Sequence, residues 1–328
     1  MEEKVFRYLV KRILILIPVV IAITIILFTI SKLMPGDPVR AMLPTTLRPE
    51  QYQASYDMMY KRLGLDKSLP EQYFRWIYNI IIKGDLGYST MFNRPVAQCI
   101  GQPLTNTIIL NIFVNMFYLL IALPVGIRMA TKRGSLFDHG MQVFSLVTYS
   151  VPSFFLALTL IFIFACTLKL LPIGGMPNSS ILSGVPLMIA WAKHLVMPTV
   201  TLVIISVAGA MRYTRNAMID ALSQDYIRTA RSKGLSEKVV IYSHAFRNAL
   251  IPVSTIIVFT VLSLFAGAVI TESVFNYNGI GRLLVSAVNQ RDTMMVVSMN
   301  LLYAVVNVIA VLVADIVYGL IDPRIKLK

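Results

Sequence analysis

The chain has 328 residues, 56% of them hydrophobic and only 14% charged, with a mean hydropathy of +0.70. Soluble domains carry about 25% charged and 45–50% apolar residues, so this composition excludes them and defines an integral membrane protein. The formal charge of +14 reflects Lys and Arg gathered at membrane-flanking loops rather than a nucleic-acid surface, and no nucleic-acid partner is expected.

A hydrocarbon core about 30 Å thick needs about 20 apolar residues of helix to cross it. Six stretches qualify. The first covers roughly residues 13–30, and 31–103 then form a long loop with Trp76, several Tyr and charges of both signs. That loop is too long for a linker and is expected to be folded or partly membrane-lying. The second span covers 104–127 and the third 141–168. Residues 181–192 are too few to cross and read either as an interfacial piece or as an early start to the fourth span, which ends near Met211. The fifth covers 250–271 and the sixth 294–319. The first span is longer than the usual 7–15-residue apolar core of a signal peptide, and Ser31–Pro35 offers no small-residue cleavage site.

Orientation follows from the basic residues. With the N-terminus inside, segments 1–12, 128–140, 212–249 and 320–328 hold 17 of the 30 Lys and Arg in about 70 positions. The expected architecture is an all-α polytopic membrane protein with six transmembrane helices and cytoplasmic N- and C-termini. Residues 1–30 give the N-terminus and first span, 31–103 an extracytoplasmic loop region, and 104–328 a five-helix core containing a cytoplasmic loop over 212–249.

No G-x-x-x-x-G-K-[ST], G-x-S-x-G or H-E-x-x-H occurs, and His139, His194 and His244 are scattered. Cys99 and Cys166 form no C-x-x-C. No catalytic group, metal or cofactor is expected, and the chain has no motif for binding ATP itself. The spans also lack charge, Asp315 near the inner end of the sixth being the clear candidate. Ion-coupled transporters usually carry intramembrane acids or bases, so an independent secondary transporter is the weaker reading. Neutral polar residues remain: Asn111 and Asn115, one turn apart, with Thr255 and Asn307. They read as interhelical hydrogen bonds, typically worth about 0.6 kcal/mol, or as the lining of a polar pathway.

Five short stretches occur in order along the chain: Met34-Pro35-Gly36-Asp37-Pro38; Gly84-Asp85-Leu86-Gly87-Tyr88-Ser89; the run from Asp225 to Pro252; Thr271-Glu272-Ser273-Val274-Phe275 with Gly279-Ile280-Gly281-Arg282; and Leu320-Ile321-Asp322-Pro323-Arg324-Ile325. Their succession resembles the first permease subunit of the oligopeptide/dipeptide (peptide/nickel) ABC importers over essentially the whole chain. The resemblance implies the type I ABC importer transmembrane fold in a bacterial or archaeal cell (inner) membrane. It implies a heterodimer with a second permease subunit, two cytoplasmic ATPase subunits that bind the ATP, and an extracytoplasmic substrate-binding protein. Peptides are the implied substrate, with nickel chelates, glutathione or oligosaccharides as alternatives in the same family.

The resemblance also assigns residues. Asp225, Tyr226, Arg228, Ala230, Arg231 and Gly234 would form the ATPase-coupling loop. General importers carry E-A-A-x-x-x-G in this loop, and this chain has Arg228-Thr229-Ala230 before Gly234. Physically, 225–233 suits a short amphipathic helix with Tyr226, Ile227 and Ala230 on one side. A small residue at 230 would allow close approach to a groove. Gly234 suits a left-handed stop, and Ser236 a cap for the next helix. After the fifth span, Glu272, Gly279 and Gly281 are candidates for an outer gate.

The orientation predicts an accessibility pattern. Single cysteines at Ser135 and Ser236 will resist an impermeant thiol reagent in intact cells, and cysteines at Ser55 or Ser68 will label; labelling of Ser236 from outside would invert the topology.

Overall fold

The computed structural model describes residues 2–34, 37–43 and 48–321. Residues 35 and 36 of the first motif and 322–325 of the last therefore lie outside the described residues, as does the side chain of Thr255. The chain divides into two compact units, one centred on Asn106–Arg282 and the other on Val10–Thr105 with Leu283–Val308.

Helix α1 (Glu2–Leu33) carries the first span, and from Val10 onward it belongs to the second of these units. The long loop is folded. Asp37 caps the short helix α2 (Pro38–Met42) by accepting the Val39 amide at 2.9 Å. Burial opposes the charge of Asp37, but the Tyr56 hydroxyl, the amides of Val39 and Arg40 and the Arg40 charge together hold its carboxyl below the usual carboxylate range. Helices α3 (Pro49–Arg62) and α4 (Leu69–Lys83) follow, and Gly84 ends α4 in the left-handed region, φ +63°. Tyr88–Ser89 (β1) pairs antiparallel with Arg94–Pro95 (β2), and helix α5 (Val96–Thr131) begins directly afterwards.

The Asn106–Arg282 unit contains α6 (Leu136–Ser150), α7 (Ser153–Leu160) running into a π-helical turn at Ile161–Thr167, and α8 (Gly184–Leu222). Next come α9 (Asp225–Ser232), α10 (Glu237–Val239) with a π-helical continuation to Phe246, and α11 (Arg247–Leu262). A 3₁₀ turn at Ser263–Phe265 leads to α12 (Val269–Val274). Helix α13 (Ile280–Asn289) and α14 (Thr293–Ile321), which carries the sixth span, complete the described chain.

Two expectations are corrected. The third span is not one helix: α6 and α7 meet at 98°. Pro152 has no amide hydrogen and disfavours helical backbone in the residue before it, and Val151 is accordingly extended at φ −85°, ψ 121°. The fifth span is broken at its far end, where Ala266–Ala268 are not helical between the 3₁₀ turn and α12. The segment 212–249 begins as helix, α8 running 39 residues to Leu222. At 1.5 Å per residue that is roughly 58 Å, well beyond a bilayer. Residues 184–192 are its first turns, so the ambiguous run resolves as the early start of the fourth span.

Small residues set the packing. Ala130 of α5, Ala217 and Ala221 of α8, Ile227 and Ala230 of α9, and Ala245, Ala249 and Val253 beyond form one buried cluster. A second joins Leu110 and Val114 of α5, Ala157 of α7, Leu195 and Val203 of α8, and Phe275 with Tyr277.

A buried ion pair missed in the sequence fixes α6 to α8. Arg215 donates through Nε to Asp138 Oδ1 at 2.6 Å and through a terminal nitrogen to Oδ2 at 2.8 Å, and the Gly134 amide adds a third bond at 3.0 Å. Asp138 is 1% exposed and Arg215 16%. Removing one partner of such a pair leaves a bare buried charge and costs about 3–5 kcal/mol. Asp138→Ala or Arg215→Ala will therefore lower the thermal midpoint of the detergent-purified protein sharply. The apolar double variant Asp138→Leu/Arg215→Met will recover most of the loss, and equal losses in single and double variants would contradict the coupling.

Candidate functional site

The segment after the fifth span is built around one carboxylate. Glu272, in α12, is fully buried. Its Oε1 accepts the Thr107 hydroxyl at 2.9 Å and the Ala268 amide at 3.2 Å, and its Oε2 accepts the Arg282 amide at 3.0 Å. No basic side chain is paired with it among the described residues; a nest of amides and one hydroxyl holds it instead.

Thr107 also accepts the Ile280 amide at 2.8 Å. Next to it, Asn106 donates to the Asn278 carbonyl at 2.7 Å, and the Tyr277 hydroxyl donates to the Asn106 carbonyl at 2.7 Å. The two glycines are required by this crowding. A Cβ on Gly279 would lie 2.5 Å from the Glu272 carboxyl, and one on Gly281 would lie 2.8 Å from the Val269 backbone. Glu272, Gly279 and Gly281, named separately from the sequence, thus occupy one latch that ties residues 268–282 to α5. Asn106 and Thr107 were not anticipated; the signal was the polar run Thr105-Asn106-Thr107 opening an otherwise apolar span.

One and two turns further along α5, Asn111 and Asn115 face the break in the fifth span. The Asn111 side-chain amide donates to the carbonyls of Ser263, Leu264 and Ala266 at 2.9, 3.1 and 2.9 Å. Asn115 donates to the Thr260 carbonyl at 2.7 Å. These bonds satisfy backbone that helix geometry leaves unpaired at membrane depth. Asn307 is exposed on α14 and donates to the Tyr303 carbonyl one turn back in its own helix at 2.8 Å.

The loop expected to couple to an ATPase is helical in two pieces. In α9, Ile227 and Ala230 are buried in the alanine-rich cluster with α5, α8 and α11. Ala230 was expected to allow close approach to a groove, and the close approach it makes is within its own chain. Tyr226 was placed with them but is 39% exposed. Asp225, Arg228, Thr229 and Arg231 are exposed, and Arg231 pairs with Glu237 at 2.8 Å. Gly234 sits at φ +75°, the left-handed stop read from the sequence. Ser236 stands at the cap position of α10, but its hydroxyl makes no capping bond.

In the other unit, Asp292 does for Gly84–Ser89 what Glu272 does here. It is fully buried, accepts the Ser89 hydroxyl at 2.5 Å and the Met91 amide at 3.1 Å, and caps α14 through the Met295 amide at 3.1 Å. Asp85 accepts the Gly87 amide at 2.8 Å, and Ser298 donates to the Leu86 carbonyl at 2.7 Å. These bonds account for the Gly-Asp-Leu-Gly-Tyr-Ser wording.

No group of three or more metal-binding side chains exists among the described residues. Helices long and apolar enough to cross a membrane, tied by buried polar latches, define a polytopic membrane protein. The family model described as "Binding-protein-dependent transport system inner membrane component" matches residues 122–327, and the model of its N-terminal region matches 5–124. The chain belongs to that family and is a membrane permease subunit of an ABC importer. It is 36% identical to the oligopeptide transport system permease protein AppB of Bacillus subtilis, over 97% of this chain and 99% of that protein. It is 39% identical to the dipeptide transport system permease protein DppB of Alkalihalophilus pseudofirmus, over 97% and 99%. It is 36% identical to the di/tripeptide permease protein DppB of Pseudomonas aeruginosa, over 97% and 98%.

The latch predicts a steep response to small changes. Gly279→Ala forces a methyl group into the Glu272 carboxyl and will abolish transport, and Thr107→Val, which removes two hydrogen bonds at nearly constant volume, will lower protein stability by about 1–3 kcal/mol. Thermal unfolding in detergent and uptake in vesicles read the two effects; a wild-type Gly279→Ala variant would exclude the latch as an essential element.

Proposed function

We propose that this chain forms, with a second permease subunit, the translocation path of an importer for peptides. An extracytoplasmic binding protein delivers the substrate, and two cytoplasmic ATPase subunits drive the cycle. The peptide assignment rests on relatives named for oligopeptide, dipeptide and di/tripeptide transport that align with nearly the whole chain. The N-terminus lies inside, as the basic residues require, which puts α9 in the cytoplasm and the latch outside.

The two-faced seating of α9 carries the mechanism. Its inner face, Ile227 and Ala230, is packed on α5, α8 and α11, and its outer face, Tyr226, Arg228 and Thr229, is open. An ATPase groove that holds the outer face passes its movement directly to three helices. The demand on this contact is large: swinging a transporter from 1:99 to 99:1 between two facing states takes about 5.5 kcal/mol of differential binding. On the far side, the Glu272 latch is a gate element that holds the end of the fifth span against the second. The described span interiors offer neutral polar groups and few charges, which suits cargo of varied charge once the binding protein has selected it.

The test separates docking from folding. In proteoliposomes with the complete complex, Arg228→Glu combined with Tyr226→Ala will cut peptide-stimulated ATP hydrolysis by about tenfold, equal to about 1.4 kcal/mol, with membrane insertion intact. Gly234→Pro will do the same, because proline is locked near φ −65° and position 234 requires +75°. Unchanged coupling in both would remove α9 as the docking element. Uptake of nickel chelates or oligosaccharides in place of peptides would change the substrate and leave the coupling in place.

A further inference from the structure

We infer that α4 is a monotopic helix lying in the plane of the bilayer, its exposed apolar stripe covered by the acyl chains of the leaflet in which α1 ends. The helix has three faces. Tyr73 and Trp76 pack on Phe28 of α1, with ring centroids 5.5 and 5.9 Å apart. Gln72, Asn79 and Lys83 make a polar face. Phe74, Tyr78, Ile81 and Ile82, spaced i, i+4, i+7, i+8, are 69%, 54%, 71% and 64% exposed, their ring contacts being with Tyr73 and Lys83 of the same helix.

Contacts with α1 fix the depth. Thr24 Oγ1 and the Tyr73 hydroxyl share a hydrogen bond of 2.9 Å. Thr24 precedes the end of α1 at Leu33 by nine residues, so this bond lies roughly 13 Å below that end. The hydrogen bonds and ring contacts to positions 24, 28 and 32 of α1, three successive turns, come from Tyr73, Trp76 and Gln72, little more than one turn of α4. Such a contact belongs to a helix that crosses α1 rather than running beside it.

A helix crossing a membrane span below its end, with one apolar face uncovered, presents that face to lipid. The ends agree: Lys67 precedes the helix and Lys83 closes it, its ammonium 5.6 Å over the Tyr78 ring, as expected of lysines reaching to headgroups beside interfacial aromatics. Which leaflet this is rests on the proposed orientation; the embedding does not.

Fluorescence quenching tests it in the complete complex in phosphatidylcholine nanodiscs, without any transport readout. In a Cys99→Ala/Cys166→Ser chain, Phe74→Cys, Tyr78→Cys and Ile81→Cys each carry an environment-sensitive fluorophore, with Asp66→Cys as the aqueous control. The expected depth for such a helix is about 5–10 Å into the headgroup–acyl boundary. Phosphatidylcholine bearing a nitroxide just below the headgroup will therefore quench the stripe labels at least about twofold relative to Asp66, while iodide quenches only Asp66. Should one stripe cysteine destabilise the protein, the labels at the other two positions read the same depth. Iodide quenching of the stripe would overturn the inference, and so would protection from both quenchers with photocrosslinks to the second permease, which would assign the face to protein.

Discussion

Hydrocarbon offers no partner to a peptide group, and this structure depends on how it meets that constraint. A span that breaks in the membrane exposes carbonyls and amides that must be satisfied from within the protein. The fifth span breaks at Ala266–Ala268, and the remedy comes from one face of α5: Asn115, Asn111, Thr107 and Asn106, in rising order along the broken segment. The first two cover the carbonyls before the break. Thr107 joins the carboxylate of Glu272 to the Ile280 amide beyond it. The irregular segment therefore has a defined shape only while α5 lies against it.

Buried acids recur as the fastening device. Glu272, Asp292 and Asp138 are each almost or wholly inaccessible, and each binds a turn of backbone to a separate element. They differ in how their charge is met. Asp138 has a guanidinium, whereas Glu272 and Asp292 have amides and hydroxyls. Amides fix a loop's path more strictly than a flexible cation does, because they are part of the loop itself. Glu272 sits beside glycines that let backbone pass close to its carboxylate, and Asp292 fastens a segment that carries Gly84 and Gly87.

Apolar runs of span length were enough to place the spans, since such a run has few other uses. What they could not place were the interruptions. Pro152 was visible and its effect on Val151 is general, yet the uninterrupted hydropathy of 141–168 concealed it. Two caps were also readable: Ser135-x-x-Asp138, whose serine accepts the Asp138 amide at 3.3 Å, and Asp292 ahead of an apolar helix. The partner of Asp138 was not, because Arg215 is 77 residues away and looked like one more cytoplasmic cation. Glu272, Gly279 and Gly281 were singled out by resemblance. Their mutual contact is legible only in three dimensions, where a glycine is needed because of what lies beside it and not because of its own turn.

The seat of α9 is made largely of alanine: 130, 217, 221, 230, 245 and 249. Alanine has no side-chain torsions to absorb a push, and its short methyl keeps the backbones of neighbouring helices near their closest separation. The joint is thus stiff in compression and has no slack. It behaves as a bearing rather than a spring, delivering displacement faithfully and storing little work, so elastic give during the cycle has to come from elsewhere along the helices. The sharp elbow at Pro152 and the π-helical turn at Ile161–Thr167 lie outside this seat, and there the regular helix is already interrupted.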